Sequence, residues 1–199
     1  EPEVRDMLTQ LAANAHLQGL RHFGIADPRQ GIMHIAGPEL GFVLPGFVVT
    51  GSDSHTCTNG AFGAFAFGIG QSELKQVFLT QTLWRRKPRG MRITVTGQTA
   101  CGVSAKDVVL AVIASVGSNG ARGCVIEYAG SCIAGITMEQ RMTVCNMSVE
   151  AGAQAGRIGM AQRVPDLRHG GKDGVGGSNE RIQAAEGGQV GRRRRAVEH

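Results

Sequence analysis

The sequence predicts an α/β domain with a mainly parallel sheet flanked by helices, followed by a disordered C-terminal tail. Short apolar runs of strand length alternate with longer segments of helical periodicity, which is the pattern of strand–helix–strand units. Hydrophobic residues make up 42% of the 199 residues, which is enough for one core. No apolar stretch reaches the roughly 20 residues that a membrane span needs, so no membrane partner is expected.

Local patterns predict each element in order. Residues 3–22 carry apolar side chains three or four positions apart, which predicts a helix. The apolar runs 32–35 and 47–50 lie between Gly and Pro residues, which predicts two buried strands. The remaining predicted elements are a helix over 72–83, a strand over 91–96, a helix over 104–116, a strand over 124–128 and a helix over 137–152.

The charge of the chain is concentrated near its C-terminus. The formal net charge is +5, and residues 157–199 contribute +4 of it. This segment is rich in Gly, contains no aromatic residue and includes four consecutive arginines at 192–195. Such a composition cannot bury enough apolar surface to fold. We therefore expect a partial α/β domain over residues 1–160 and a Gly/Arg-rich, disordered tail over 161–199.

The cysteines argue against a disulfide framework or a zinc ribbon. There are five of them, an odd number, and no Cys-x-x-Cys pair occurs. Together with the lack of a secretory leader at Glu1, this predicts a reducing, cytoplasmic location.

The segment Asp53-Ser54-His55 follows the predicted strand 47–50 and is a candidate for chemistry. In an extended backbone Asp53 and His55 would face the same way. The carboxyl ends of parallel strands are where α/β sheets bind ligands. The alternative is a turn in which Asp53 and Ser54 cap backbone N–H groups.

Three further residues could carry chemistry. Asn146 and Glu150 lie four positions apart and would share one face of the predicted helix 137–152, where Glu150 would need His55 or an arginine as a partner. The alternative is a solvated helix face. His34 lies in an apolar segment, where a hydrogen-bonded core histidine is the competing interpretation.

A basic loop follows Trp84. Its cationic residues are Arg85, Arg86, Lys87 and Arg89. The loop could contact an anion, but the sequence favours a solvated connection before the next strand.

Several motifs occur in one order along the chain. They are Gly31-Ile-Met-His34, Leu44-Pro-Gly46, Gly51-Ser-Asp-Ser-His-Thr56, the Gly-rich segment 60–70, Thr80-Gln-Thr-Leu83 and Met142-Thr-Val-Cys-Asn-Met147. Together they resemble the aconitase superfamily, most closely the large subunits of 3-isopropylmalate dehydratases. Homoaconitase and 2-methylmalate dehydratase large subunits are near relatives. The resemblance extends from about residue 3 to about residue 160.

The resemblance implies a hydro-lyase of leucine biosynthesis that interconverts 2- and 3-isopropylmalate through an unsaturated intermediate. Its substrate would be a small hydroxy-dicarboxylate, and a small subunit would complete a heterodimer. Such enzymes carry a 4Fe–4S cluster in which one iron, lacking a cysteine ligand, acts as a Lewis acid on the substrate hydroxyl.

The same resemblance implies roles for individual residues. His34 and Asp53 would form one catalytic pair, and His55 and Glu150 a second. Asn146 would lie beside the cluster, and the Ser54 hydroxyl would face the substrate.

Some family features have no counterpart in this sequence. The cluster ligands lie in a Gly-Ser-Cys-Thr-Asn motif and a Cys-x-x-Cys motif, and neither occurs here. No metal ligand is therefore assigned, and Cys57 and Cys132 are set aside. An upstream Asp-His motif is also absent, and the family's base serine and substrate arginines lie partly on another domain or subunit. We therefore expect a truncated or frame-shifted copy that is inactive alone. A non-catalytic module whose basic tail binds RNA is the alternative.

Overall fold

A computed structural model describes residues 2–159 of the chain. Two compact units divide the chain, Glu1–Phe42 and Val43–His199. The predicted tail over 161–199 lies outside the described residues. The α/β class is confirmed, because the strands of both described sheets pair in parallel and helices flank them.

The first unit holds two helices, α1 (Pro2–Leu17) and α2 (Met33–Glu39). Helix α1 ends earlier than the predicted range 3–22. Gly19 adopts a left-handed conformation with φ 64°, and the N–H of Leu20 donates to the carbonyl of Ala15 at 2.8 Å. This is the hydrogen bonding of a Schellman motif, which satisfies the last helical carbonyls and stops the helix.

The predicted strand over 32–35 is wrong, because this segment belongs to helix α2. The N–H groups of Ile35 and Ala36 both donate to the carbonyl of Ile32 at 2.9 Å, so the chain turns at the point where a strand was expected. A run as short as Ile-Met-His-Ile fits a helical turn as well as a strand, because periodicity does not separate the two at this length. The expected burial is also wrong, since Ile32 and Ile35 are exposed.

The described part of the second unit, residues 43–159, contains two parallel sheets. The smaller pairs β1 (Val48–Gly51) with β2 (Phe65–Gly68), and the larger has the order β3 (Arg89–Thr94), β4 (Cys124–Ala129), β5 (Ala155–Ile158). The helices are α3 (Gln71–Thr80), α4 (Ala105–Val116), α5 (Ser131–Ala134) and α6 (Met138–Asn146). A first 3₁₀ helix spans Ser54–Phe62 and a second spans Met147–Ala151. No helix among residues 2–159 is long and apolar enough to cross a membrane.

Most of the predicted elements of this unit are present with bounds shifted by a few residues. Helix α4 begins where predicted because Ser104 and Asp107 form a capping box, with the Asp107 carboxylate accepting from the Ser104 N–H at 2.8 Å. Strand β1 is less buried than predicted, since Val48 is exposed. The sequence did not predict β2, β5, α5 or either 3₁₀ helix.

The predicted helix over 137–152 is also wrong in its second half. Helix α6 ends at Asn146, and a tighter 3₁₀ turn follows. The buried Ser148 hydroxyl donates to the carbonyl of Val144 at 3.2 Å. Such back-bonding from a serine bends helices. Ser148 also lies 3.0 Å from the Tyr128 hydroxyl, which anchors the bend to the central strand β4.

The core of this unit lies on one face of β4. Cys124, Ile126 and Tyr128 alternate inward and pack against α4, α5 and α6. Desolvation raises the pKa of Tyr128 to about 12, so its hydroxyl stays neutral and bonded to Ser148.

The first 3₁₀ helix lies directly on β5. A Cβ atom on Gly60 would collide with the carbonyl oxygen of Gly156, so the two backbones approach as closely as glycine allows. This contact fixes the position of the helix that carries His55.

Candidate active site

Side chains that bond back to the main chain build the first 3₁₀ helix. The Thr56 hydroxyl donates to the Asp53 carbonyl at 2.6 Å, and the Thr58 hydroxyl donates to the His55 carbonyl at 2.7 Å. The Asn59 amide donates to the Thr56 carbonyl at 3.0 Å. Each bond reaches back three residues, which is the spacing that favours a 3₁₀ over an α-helix. The helix is therefore held by its own buried polar residues.

Asp53 is the N-cap of this helix. Its carboxylate accepts from the His55 N–H at 2.6 Å, as in the capping alternative raised by the sequence. The two residues are thus brought together by a turn rather than by an extended strand. The His55 Nδ1 atom lies 3.7 Å from the Asp53 carboxylate and 3.2 Å from the Ser54 hydroxyl.

Glu150 approaches the opposite side of the His55 ring. Its Oε1 lies 3.4 Å from His55 Nε2, and it comes from the second 3₁₀ helix rather than from a face of α6. The side chains are 36% and 52% exposed, so solvent screens their attraction. At 3.7 and 3.4 Å, the Asp53 and Glu150 carboxylates lie beyond the roughly 2.7–3.2 Å of a hydrogen bond, so neither saturates its ring nitrogen and part of the ring stays open to a ligand.

Asn146 joins the end of α6 to the first 3₁₀ helix. Its side-chain amide donates to the Thr58 hydroxyl at 2.9 Å, and its carbonyl accepts from the Cys57 thiol at 3.5 Å. These long-range bonds hold the helix that carries His55 against the segment that carries Glu150. The motifs did not point to Thr58 or Cys57 as supports of the site, and no local pattern marks them.

His34 belongs to the first compact unit of the chain. It lies on α2 in the first unit and is buried, whereas Asp53 belongs to the second unit. Its pairing with Asp53 stays a prediction.

The cysteines of residues 2–159 do not fit an iron–sulfur cluster. No three His, Cys, Asp or Glu side chains in this part of the chain converge as metal ligands. Burial raises the pKa of Cys57 to about 11 and also raises the pKa of Cys145. A buried thiol of raised pKa resists forming the thiolate that ligates metals.

A comparison with models of known protein families gives the family of this chain. A model of the aconitase family, described as aconitate hydratase, matches residues 2–176. The chain belongs to the aconitase family. The match continues past residue 160, where the motif resemblance was expected to end. Aconitase-family proteins are hydro-lyases and generally bind a 4Fe–4S cluster, but the cysteines of the described residues do not provide its site.

We expect the buried thiols of this aconitase-family chain to destabilise it at alkaline pH. The pKa of Cys57 is 9.0 when solvated and about 11 in the fold. The neutral Cys57 thiol therefore makes its full contribution to the free energy of unfolding below pH 9, and this contribution is lost as the pH rises through about 11. The reason is that between these two pH values the unfolded chain binds fewer protons than the folded chain. Urea unfolding across the window should show a smaller decline for Cys57→Ala than for wild type.

Cys101→Ala is the matched control, since this thiol is exposed. The control should keep the wild-type decline. An identical decline in Cys57→Ala and wild type would contradict the prediction.

Proposed function

We propose that this chain contributes active-site residues to a 3-isopropylmalate dehydratase, the hydro-lyase that interconverts 2- and 3-isopropylmalate in leucine biosynthesis. The observation that supports it most directly is the His55 ring, with Nε2 3.4 Å from Glu150 and Nδ1 3.7 Å from Asp53. A small subunit that completes a heterodimer and a cytoplasmic location belong to the same proposal.

The chemistry follows from what dehydration of a hydroxy acid requires. The C–O bond breaks, the leaving hydroxyl takes up a proton to become water, and the neighbouring carbon loses a proton as the double bond forms. An imidazole held between two carboxylates is suited to deliver the proton to the hydroxyl and to recover it during hydration. In this proposal His55 carries the proton, and Glu150 and Asp53 orient the ring.

The choice of isopropylmalate rests on the ordered motifs, of which Asp53-Ser54-His55 is the centre. Related hydroxy acids are the alternatives, and they differ in size and in the number of carboxylates. In this proposal the Ser54 hydroxyl, which lies 3.2 Å from His55 Nδ1, faces the substrate.

Calorimetric titration of the full chain tests the proposal. We expect 3-isopropylmalate to bind roughly fivefold more tightly than isopropylsuccinate, which lacks only the hydroxyl, because one hydrogen bond contributes about 1 kcal/mol. Homoisocitrate and 2-methylmalate should bind more weakly. Equal affinities for 3-isopropylmalate and isopropylsuccinate would contradict the role of His55, and tighter binding of homoisocitrate or 2-methylmalate would contradict the substrate.

A further inference from the structure

A cleft of about 300 Å³ opens beside the candidate active site within the second unit. Its lining includes Ser52, Ser54, Phe67, Arg85, Val149 and Gln154. Arg85 is the charged side chain among the described residues of this lining. This volume lies at the lower end of ligand-binding clefts and is large enough for a small organic acid.

Two contacts fix the orientation of the Arg85 side chain. Its guanidinium lies over the Phe67 ring, 5.5 Å from the ring centroid. One terminal nitrogen lies 3.0 Å from the Glu73 carboxylate, which also accepts from the Gly70 N–H at 3.1 Å. A guanidinium has five N–H donors, so this ion pair leaves donors for a second anion. The side chain is 38% exposed, which leaves it accessible to a ligand.

The cleft is lined in part by residues of the candidate active site or next to it in sequence. Ser54 lines the cleft, and its hydroxyl lies 3.2 Å from His55 Nδ1. Val149, which also lines the cleft, immediately precedes Glu150. An organic acid held in the cleft would therefore lie next to the ring that is proposed to carry the proton.

We propose that Arg85 binds the substrate carboxylate on the carbon that does not bear the hydroxyl. This inference rests on the proposed function and assigns a substrate-binding residue within this chain. Planar guanidinium and carboxylate groups form paired, charge-assisted hydrogen bonds, which fix orientation as well as affinity. Arg85 thus belongs to the site, although the sequence favoured a solvated loop at 85–89.

Three matched ligands and two variants of the full chain test the inference by calorimetry. The ligands are 3-isopropylmalate, isopropylsuccinate, which lacks the hydroxyl, and 2-hydroxy-4-methylpentanoate, which lacks the second carboxylate. Arg85→Gln should bind both dicarboxylates about tenfold more weakly and bind the monocarboxylate as wild type does. Arg86→Gln is the control, since Arg86 lies on the same loop but not in the lining of the cleft. Its affinities should equal those of wild type.

Unchanged dicarboxylate affinity in Arg85→Gln would overturn the inference, as would an equal loss for all three ligands, which indicates a purely structural role. Absence of saturable dicarboxylate binding by the wild-type chain would overturn it as well. The proposed function fails on a different result, namely equal wild-type affinities for 3-isopropylmalate and isopropylsuccinate. A loss confined to dicarboxylates in Arg85→Gln would then still support the carboxylate subsite.

Discussion

Replacing Gly60 by alanine should lower the free energy of unfolding by about 3 kcal/mol or more. The added Cβ would overlap the carbonyl oxygen of Gly156 on β5. This obstacle is backbone, so no side-chain rotation relieves it, and either the first 3₁₀ helix or β5 must shift. Residues 56–61 of the helix and most of β5 are buried in the second unit, and a shift would also disturb the approach of His55 to Glu150. Urea unfolding followed by circular dichroism measures the effect.

Gly135→Ala is the matched control for this prediction. The nearest atom to a Cβ at Gly135 is 3.6 Å away, which is ordinary contact, and its φ of −85° suits any residue. Its unfolding free energy should stay within about 0.5 kcal/mol of wild type. Failure of Gly60→Ala to fold while Gly135→Ala folds agrees with the expectation. Equal unfolding midpoints of Gly60→Ala and wild type would show that the close approach is not needed.

Replacing His55 by alanine should weaken 3-isopropylmalate binding roughly fivefold and remove the preference for it over isopropylsuccinate. The ring is proposed to form a hydrogen bond with the substrate hydroxyl, and such a bond contributes about 1 kcal/mol. Isopropylsuccinate offers no such hydroxyl, so its affinity should change little. His55 is 36% exposed, and its removal should therefore leave the fold intact.

Two further variants sharpen the His55 prediction. Glu150→Gln keeps the shape of the side chain 3.4 Å from His55 Nε2 but removes its charge, so it should weaken binding less than His55→Ala. His16→Ala, at an exposed position near the end of α1, should bind both ligands as wild type does. If His55→Ala retained the wild-type preference for the hydroxylated ligand, another group would have to recognise the hydroxyl.

Elements with strong local signals could be predicted from the sequence. Helix α4 combines a capping box at Ser104 and Asp107 with regularly spaced apolar residues, and β4 alternates buried and half-buried positions. The signals for both elements come from neighbouring residues, so the sequence alone is enough to predict them. Strand β5 has the sequence Ala-Gly-Arg-Ile, which carries no strand pattern. It forms because its backbone pairs with the edge of β4 and because Gly156, which has no side chain, leaves room for the first 3₁₀ helix.

The candidate site, like the fold, has parts that could be predicted from the sequence and parts that could not. The motif around Asp53-Ser54-His55 and the segment ending in Glu150 could be recognised as candidates from the sequence alone, and the aconitase-family match to residues 2–176 agrees with the family that the motifs suggested. The bend at Ser148 could not be recognised, because it depends on the Tyr128 hydroxyl of a distant strand. The placement of Arg85 in the cleft likewise depends on Phe67 and Glu73.

The sequence by itself therefore determined the α/β class, the family and the identity of the candidate residues. Only the tertiary structure decided that His55 meets Glu150, and that Ser54 and Arg85 share one cleft. The physical reason is that these contacts join elements far apart in the chain. They are set by close packing of two 3₁₀ helices against β4 and β5, and such packing leaves no trace in local periodicity.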